Sequence, residues 1–185
     1  RTGLKWSDLE ALGTDYDSRH KELARISRKT VEKLMHCSGV HSINYRIKER
    51  EHLIEKIIRK TISCEIGTVT VENYTRVIND LIGIRLLHLF KEDWTQIHNY
   101  LKENWEFVDK PTAFIRPGDP NRLSEFYRDQ GCSIKEHPHG YRSVHYLLQP
   151  QNPETGYTIE IQTRTIFEEA WGEIDHFVRY PSNAD

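Results

Sequence analysis

The run Leu81-Ile82-Gly83-Ile84-Arg85-Leu86-Leu87-His88-Leu89-Phe90 decides the fold. It is almost continuously apolar, the pattern of a central β-strand covered on both faces. Asp80 stands just before it and Arg85 interrupts it. Downstream, Trp94, Ile97 and Leu101 recur at helical spacing and predict a helix over 92–102. Upstream, Ile43, Tyr45 and Ile47 alternate with Asn44, Arg46 and Lys48, so 40–48 reads as a strand with one polar face. Leu53, Ile54, Ile57 and Ile58 return to helical spacing over about 50–61, and Leu23, Ile26, Thr30 and Leu34 predict a helix over 19–36 stopped by Gly39.

The segment 63–73, centred on Gly67, reads as a loop, and 105–114 as a strand cut short by Pro111. Arg116 to Asn121 is rich in Pro and Gly and reads as a surface turn, followed by a polar connector from Leu123 to Gly131. Two further strands are expected at 142–148 and 157–163, joined by a hairpin-type loop from Gln149 to Gly156. A last helix over 165–177 ends at Tyr180-Pro181. The expected fold class is α/β or α+β: one mixed sheet of about five strands flanked by helices.

The chain has 185 residues, of which 37% are hydrophobic and 29% charged, enough for one core without staples. Its formal net charge of -2 is not the basic field of a protein that coats nucleic acid, but it leaves room for a local basic pocket. Cys37, Cys64 and Cys132 form neither a CxxC pair nor a disulfide framework and read as separate thiols in a reducing compartment. No apolar run approaches the roughly 20 residues of a membrane span. The residues 1–39 are expected to form a helical segment continuous with a domain over 40–180.

Three constellations carry chemistry. Arg46 and Lys48 share a strand face, and Lys56 and Arg59 share a helix face at i, i+3; together they suit a triphosphate, and they read equally as a solvated charged face. Asp80 and Glu160 lie at or in core strands, where a carboxylate must be exposed, paired (Arg85 or Arg164 being the candidates) or bound to metal. Glu160, Gln162 and Arg164 share one face of their strand. Two carboxylates converging across a sheet suit Mg²⁺-dependent phosphoryl or pyrophosphoryl transfer. The third is Gly140-Tyr141-Arg142-Ser143-Val144-His145, where Tyr141, Ser143 and His145 share a face able to stack a base and bond to sugar or phosphate. His137, His139 and His145 do not meet zinc-ligand spacing with Cys132. There is no P-loop, no GxGxxG and no GxSxG.

In this order, Arg46-Ile47-Lys48, Glu55-Lys56, Asp80-Leu81-Ile82-Gly83-Ile84-Arg85, Gly140 to His145, Glu160-Ile161-Gln162-Thr163-Arg164-Thr165 and a closing helix with Trp171 and His176 resemble the synthetase domain of the RelA/SpoT family, which makes the alarmone (p)ppGpp. The resemblance covers about residues 40–177 and implies a nucleotidyltransferase-like fold. It implies transfer of the β,γ-pyrophosphate of ATP to the ribose 3'-hydroxyl of GDP or GTP, with AMP leaving. Asp80 and Glu160 then resemble the metal-holding and catalytic carboxylates, with Mg²⁺ as cofactor. Arg46 resembles the arginine on the adenine, and Lys48, Lys56 and Arg59 the groups on the ATP phosphates. Tyr141 resembles the shelf under the acceptor base and His145 a ligand of its phosphate, while Arg85, Ser143, Gln162 and Arg164 resemble supporting groups.

The family's Pro-Lys-x-Asn-Gly run is here Glu136-His137-Pro138-His139-Gly140, so His137 and His139 stand at acceptor-binding positions. A mostly neutral imidazole does not match a lysine's charge. Adenine nucleotides and the 3' end of tRNA therefore stay open as acceptors, as does a catalytically silent nucleotide-binding module. The resemblance is to the small, synthetase-only branch, or to a synthetase domain excised from a longer member. It implies a cytoplasmic protein of the stringent response, with a homo-oligomer as an open expectation and no membrane partner.

Overall fold

The computed structural model describes residues 5–150 and 156–179. Its elements run α1 (Trp6–Leu34), β1 (Ser42–Ile47), α2 (Arg50–Ile62), the single turn α3 (Tyr74–Val77), β2 (Ile82–His88), α4 (Asp93–Asn104), β3 (Thr112–Ile115), α5 (Asn121–Asp129), β4 (Ser133–Glu136), β5 (Ser143–Leu148), β6 (Ile159–Thr165) and α6 (Ile166–Arg179). The strands form one mixed sheet in the order β1-β2-β6-β5-β3-β4. The apolar run of β2 forms an interior strand, one in from the β1 edge, parallel to β6 and antiparallel to β1. The fold is α+β.

Four expectations change. The sheet has six strands rather than about five, because Ser133–Glu136 pairs with β3 as a short parallel edge strand. The expected connector 123–131 is mostly helix: Asn121–Asp129 winds up after Pro120, and Phe126 and Tyr127 pack edge-on against Trp94. The first helix begins at Trp6, since Leu9, Leu12 and Tyr16 extend the buried stripe of Leu23, Ile26 and Leu34. The expected strand over 105–114 shrinks to Thr112–Ile115, with one isolated bridge from Phe107 to Leu148. The strands β5 and β6 do pair antiparallel, as a hairpin requires. The tip of their loop (151–155) and the expected stop at Tyr180-Pro181 lie outside the described residues.

Residues directly paired across a sheet share a face. On one face Ile82, Ile84, Leu86, Ile159, Ile161, Val144, Tyr146, Leu148 and Ala113 are buried, and they belong to one apolar cluster with Leu23 of α1, Leu53 and Ile57 of α2 and Trp94, Ile97 and Leu101 of α4. Leu23, Leu53 and Ile57 are each 0% exposed, and burying such a side chain stabilises the fold by roughly 1.5–3 kcal/mol. The other face is polar. Register places Arg46, Gly83 and Glu160 in one row and Asn44, Arg85, Gln162 and His145 in the next. This second face is the one the sequence set aside for chemistry.

α6 stands against that polar face, and its contact is ionic. Its first turn is closed by a capping box: Thr165 N and Oγ1 each donate to Glu168 Oε2 at 2.9 Å, and Glu168 N donates back to Thr165 Oγ1 at 3.2 Å. Phe167, Trp171, Ile174, Phe177 and Val178 of the same helix are exposed. No helix among the described residues is long and apolar enough to cross a membrane.

Candidate active site

Lys48 follows β1, Lys56 lies on α2, and Asp80 precedes β2, so the turn between β1 and α2 brings both ammonium groups to one carboxylate. Lys56 Nζ stands 2.6 Å and Lys48 Nζ 3.0 Å from Asp80 Oδ2. The other oxygen, Oδ1, is buried and has no hydrogen-bond partner. Burial acts to raise the Asp80 pKa, but Lys56 and Lys48 outweigh it and hold the carboxyl below its ordinary value. Tyr16 of α1 donates to the Lys48 carbonyl and ties the long helix to this corner.

Glu160 sits on β6 within electrostatic reach of Asp80, whose charge works to raise the Glu160 pKa. Burial also raises it, but the neighbouring His145 and Gln162 more than offset both, and Glu160 is ionised at neutral pH. His145 Nδ1 lies 3.6 Å from Glu160 Oε1, too long for a hydrogen bond. Gln162 Nε2 donates to Glu160 Oε2 at 3.1 Å, and Arg164 donates to Gln162 Oε1 at 2.9 Å. The alternation along β6 thus becomes a relay of side chains on one face.

Tyr141 lies just before β5. Its hydroxyl is 3.1 Å from His145 Nε2, and the Arg164 guanidinium packs 4.9 Å from its ring centroid. His137 and His139 flank it, with the His137 ring 5.2 Å from Tyr141. Partial burial and the nearby His139 push the His137 pKa below its ordinary value, the latter by charge repulsion. Gly140 adopts a φ of 72°, a left-handed conformation that suits glycine, and a Cβ there would meet Arg116 at 3.3 Å. Ser143 is buried and donates to the Thr163 carbonyl, a structural tie between β5 and β6.

Two adjoining cavities open on this face. The larger, about 1100 Å³, is lined by Arg46, His137, His139, Tyr141, Arg164 and Trp171 among others; the smaller, about 400 Å³, by Asn44, Tyr45, Arg46, Gly83, Arg85 and Glu160 among others. Arg46, Arg85, Gln162 and Glu173 line both. Arg46 lies across Gly83, with Cγ and Nε each 3.7 Å from where a Cβ would stand.

Of the basic quartet, Arg46 reaches the cavities, Lys48 and Lys56 meet on Asp80, and Arg59 does neither: it is exposed, lines neither cavity and is felt by Glu65. Asp80 pairs with the two lysines and Glu160 with His145; neither uses Arg85 or Arg164. Those arginines pair instead with Glu169 and Glu173 of α6, carboxylates the sequence reading passed over. The capping box Thr165 to Glu168 marked the start of that helix, and Glu169 and Glu173 at i, i+4 on one face were the available signal. The side chain of His176 lies outside the described residues.

Two carboxylates, one with a buried oxygen that no protein group satisfies, suit a hard cation that takes oxygen ligands. Among the described residues no group of three or more His, Cys, Asp or Glu side chains converges on one point. A site of two carboxylates completed by phosphate and water is the manner in which Mg²⁺ binds, so the donors fit that ion.

Residues 45–185 match the region found in RelA and SpoT proteins. GTP pyrophosphokinase YwaC of Bacillus subtilis (strain 168) is 28% identical over 145 residues, 76% of this chain and 58% of its own length. GTP pyrophosphokinase YjbM of the same organism is 28% identical over 149 residues, 77% of this chain and again 58% of its own. The chain therefore spans a little over half the length of these curated relatives. The crystal structure of small alarmone synthetase 1 from Bacillus subtilis, bound to its product pppGpp, superposes with a TM-score of 0.53 at 21% identity over 92% of this chain and 80% of that one, which shows a shared fold. With residues 45–185 matched by the family region, this chain belongs to the RelA/SpoT family.

Proposed function

We propose that the chain is a (p)ppGpp synthetase, transferring the β,γ-pyrophosphate of ATP to the ribose 3'-hydroxyl of GDP or GTP and releasing AMP. The observation that carries this reading is the largely shielded Asp80 held by Lys48 and Lys56 within electrostatic reach of an ionised Glu160, which lines the smaller of two adjoining cavities, Tyr141 lining the larger. The relatives named GTP pyrophosphokinase support it.

In this reading Arg46, planar and laid across Gly83, stacks on the donor adenine. Lys48 and Lys56 each have further N–H donors beyond the bond to Asp80 and turn them to the donor phosphates. Tyr141, backed by Arg164, carries the acceptor base, with His137 and His139 at its edge. Glu160 accepts the proton of the 3'-hydroxyl, and His145 and Gln162 fix its orientation. A Mg²⁺ ion held by Asp80 and Glu160 supplies charge neutralisation at the phosphates when bound. The remaining catalysis is alignment, because a ribose hydroxyl is a weak nucleophile and gains most from being held in line. The three free cysteines accord with a reducing, cytoplasmic setting.

The test is incubation with ATP labelled at its β-phosphate and, in separate reactions, GDP, GTP, ADP, ATP or tRNA, followed by product analysis. Label in a 3'-pyrophosphorylated guanine nucleotide bears the reading out. Label in an adenine nucleotide or in tRNA assigns the other acceptor, for which the imidazoles at 137 and 139 give a reason. Absence of transfer to every acceptor overturns it.

A further inference from the structure

Glu169 belongs to none of the catalytic motifs, yet it is the carboxylate on which two arginines of the site converge. Its side chain is 13% exposed, on the inner side of α6. Oε1 accepts from Arg85 NH1 at 2.9 Å, and Oε2 lies 3.0 Å from Arg164 Nε. Arg164 is itself buried, with a side chain only 5% exposed, and Glu169 is its carboxylate partner among the described residues. A buried guanidinium needs such a partner, because an uncompensated charge is expensive away from water.

From Arg164 the chain of contacts divides. One branch runs through Gln162 to Glu160 by hydrogen bonds of 2.9 and 3.1 Å. The other is the packing of the Arg164 guanidinium against the Tyr141 ring at 4.9 Å. The donor side of the site, Lys48, Lys56 and Asp80, is anchored from α1 and α2, away from Glu169. Arg85 has a second carboxylate, Glu173 at 2.8 Å, so it retains one without Glu169, whereas Arg164 has no second carboxylate among the described residues.

We infer that Glu169 is a positioning residue for the acceptor half of the site, fixing Arg164 so that the Tyr141 shelf and the Glu160 carboxylate keep their mutual placement. The inference rests on the proposed synthetase reading. Its physical content is a division of labour: α6 sets the acceptor side through one buried ion pair, and the N-terminal helices set the donor side.

The experiment compares steady-state kinetics of the wild type with Glu169→Gln and Glu169→Asp. ATP and GDP are each varied at a saturating level of the other, and thermal unfolding is followed alongside. In Glu169→Gln the KM for GDP is expected to rise about ten-fold, the loss of one charge-assisted contact, and kcat to fall. The KM for ATP is expected to change by less than about two-fold, and Glu169→Asp, which keeps the charge, to recover part of the loss. A helix that merely docks would lower the melting temperature and the active fraction without separating the two KM values. Equal changes in both KM values, or none, overturn the inference. If Glu169→Gln does not fold, Glu169→Asp alone decides, by the same separation of the GDP and ATP constants. Failure of the wild type to transfer pyrophosphate overturns the synthetase reading, and this positioning role falls with it; a working wild type with an indifferent Glu169→Gln sinks the inference alone.

Discussion

Lys56 Nζ and Asp80 Oδ2 stand 2.6 Å apart in a corner where both side chains are largely shielded from water. With Lys48 also on the same oxygen, a single carboxylate balances two ammonium groups. The arrangement leaves a net positive charge in this corner and keeps Asp80 ionised.

Asp80→Asn should abolish pyrophosphate transfer and also cost stability. It leaves two largely buried cations without their counterion, a loss of up to about 3 kcal/mol. Urea unfolding measures the second effect and a radiolabel transfer assay the first. Retention of substantial activity would contradict the role given to this residue.

Gly83 faces Arg46 with room to spare, since a Cβ would make ordinary contacts at 3.7 Å. Gly83→Ala should therefore be accepted and, by restricting the unfolded chain, add about 0.5 kcal/mol of stability. Gly83→Val adds two methyl groups beyond that Cβ, towards Arg46, and should push its side chain off the strand. ATP binding measured by calorimetry is expected to weaken about ten-fold in the valine variant, with the alanine variant near the wild type.

Tyr141→Ala removes the shelf and should weaken the acceptor by about 1–3 kcal/mol, the range for a lost base–aromatic stack. Tyr141→Phe keeps the ring and loses only the hydroxyl contact with His145, so its acceptor affinity should stay close to that of the wild type. Titration of GDP into each variant decides the matter; indistinguishable affinities in wild type and Tyr141→Ala would remove the stacking role.

His98 is buried on α4 with Nδ1 3.3 Å from the Tyr146 hydroxyl. Burial, helped by Lys102, pushes its pKa below the ordinary 6.5. The unfolded chain then binds a proton that the folded chain refuses. Stability is expected to fall as the pH drops through about 6.5 and to level off once the folded-state value is passed. His98→Gln should lack this part of the acid limb when melting temperature is followed between about pH 5 and 8.

The polar face of the sheet was legible because strand alternation is a local rule: Glu160, Gln162 and Arg164 had to share a side, and so did Tyr141, Ser143 and His145. The long-range pairings were not legible. Which cation meets Asp80 depends on how α2 folds back beside β2, and nothing in the spacing of Lys48, Lys56 and Arg85 selects between them. Ser133–Glu136 escaped because a four-residue edge strand with Ile134 as its one apolar side chain carries too little periodicity. Asn121–Asp129 escaped because its apolar residues, Leu123, Phe126 and Tyr127, are outnumbered by polar ones, and the packing of the aromatic pair on Trp94 supplies what propensity does not. The first half of α1 carries its own signal in Leu9, Leu12 and Tyr16, which continue the helical spacing of Leu23, Ile26 and Leu34.

The bond from Tyr16 to the Lys48 carbonyl has a consequence for how the chain can be cut. A gene fragment starting at residue 45, where the family region begins, would discard the partner of that carbonyl together with Leu23, Ile26 and Leu34, and would uncover Leu53 and Ile57. Such a truncation should yield an aggregating polypeptide, and the smallest expressible unit should retain the opening helix from Trp6 onward.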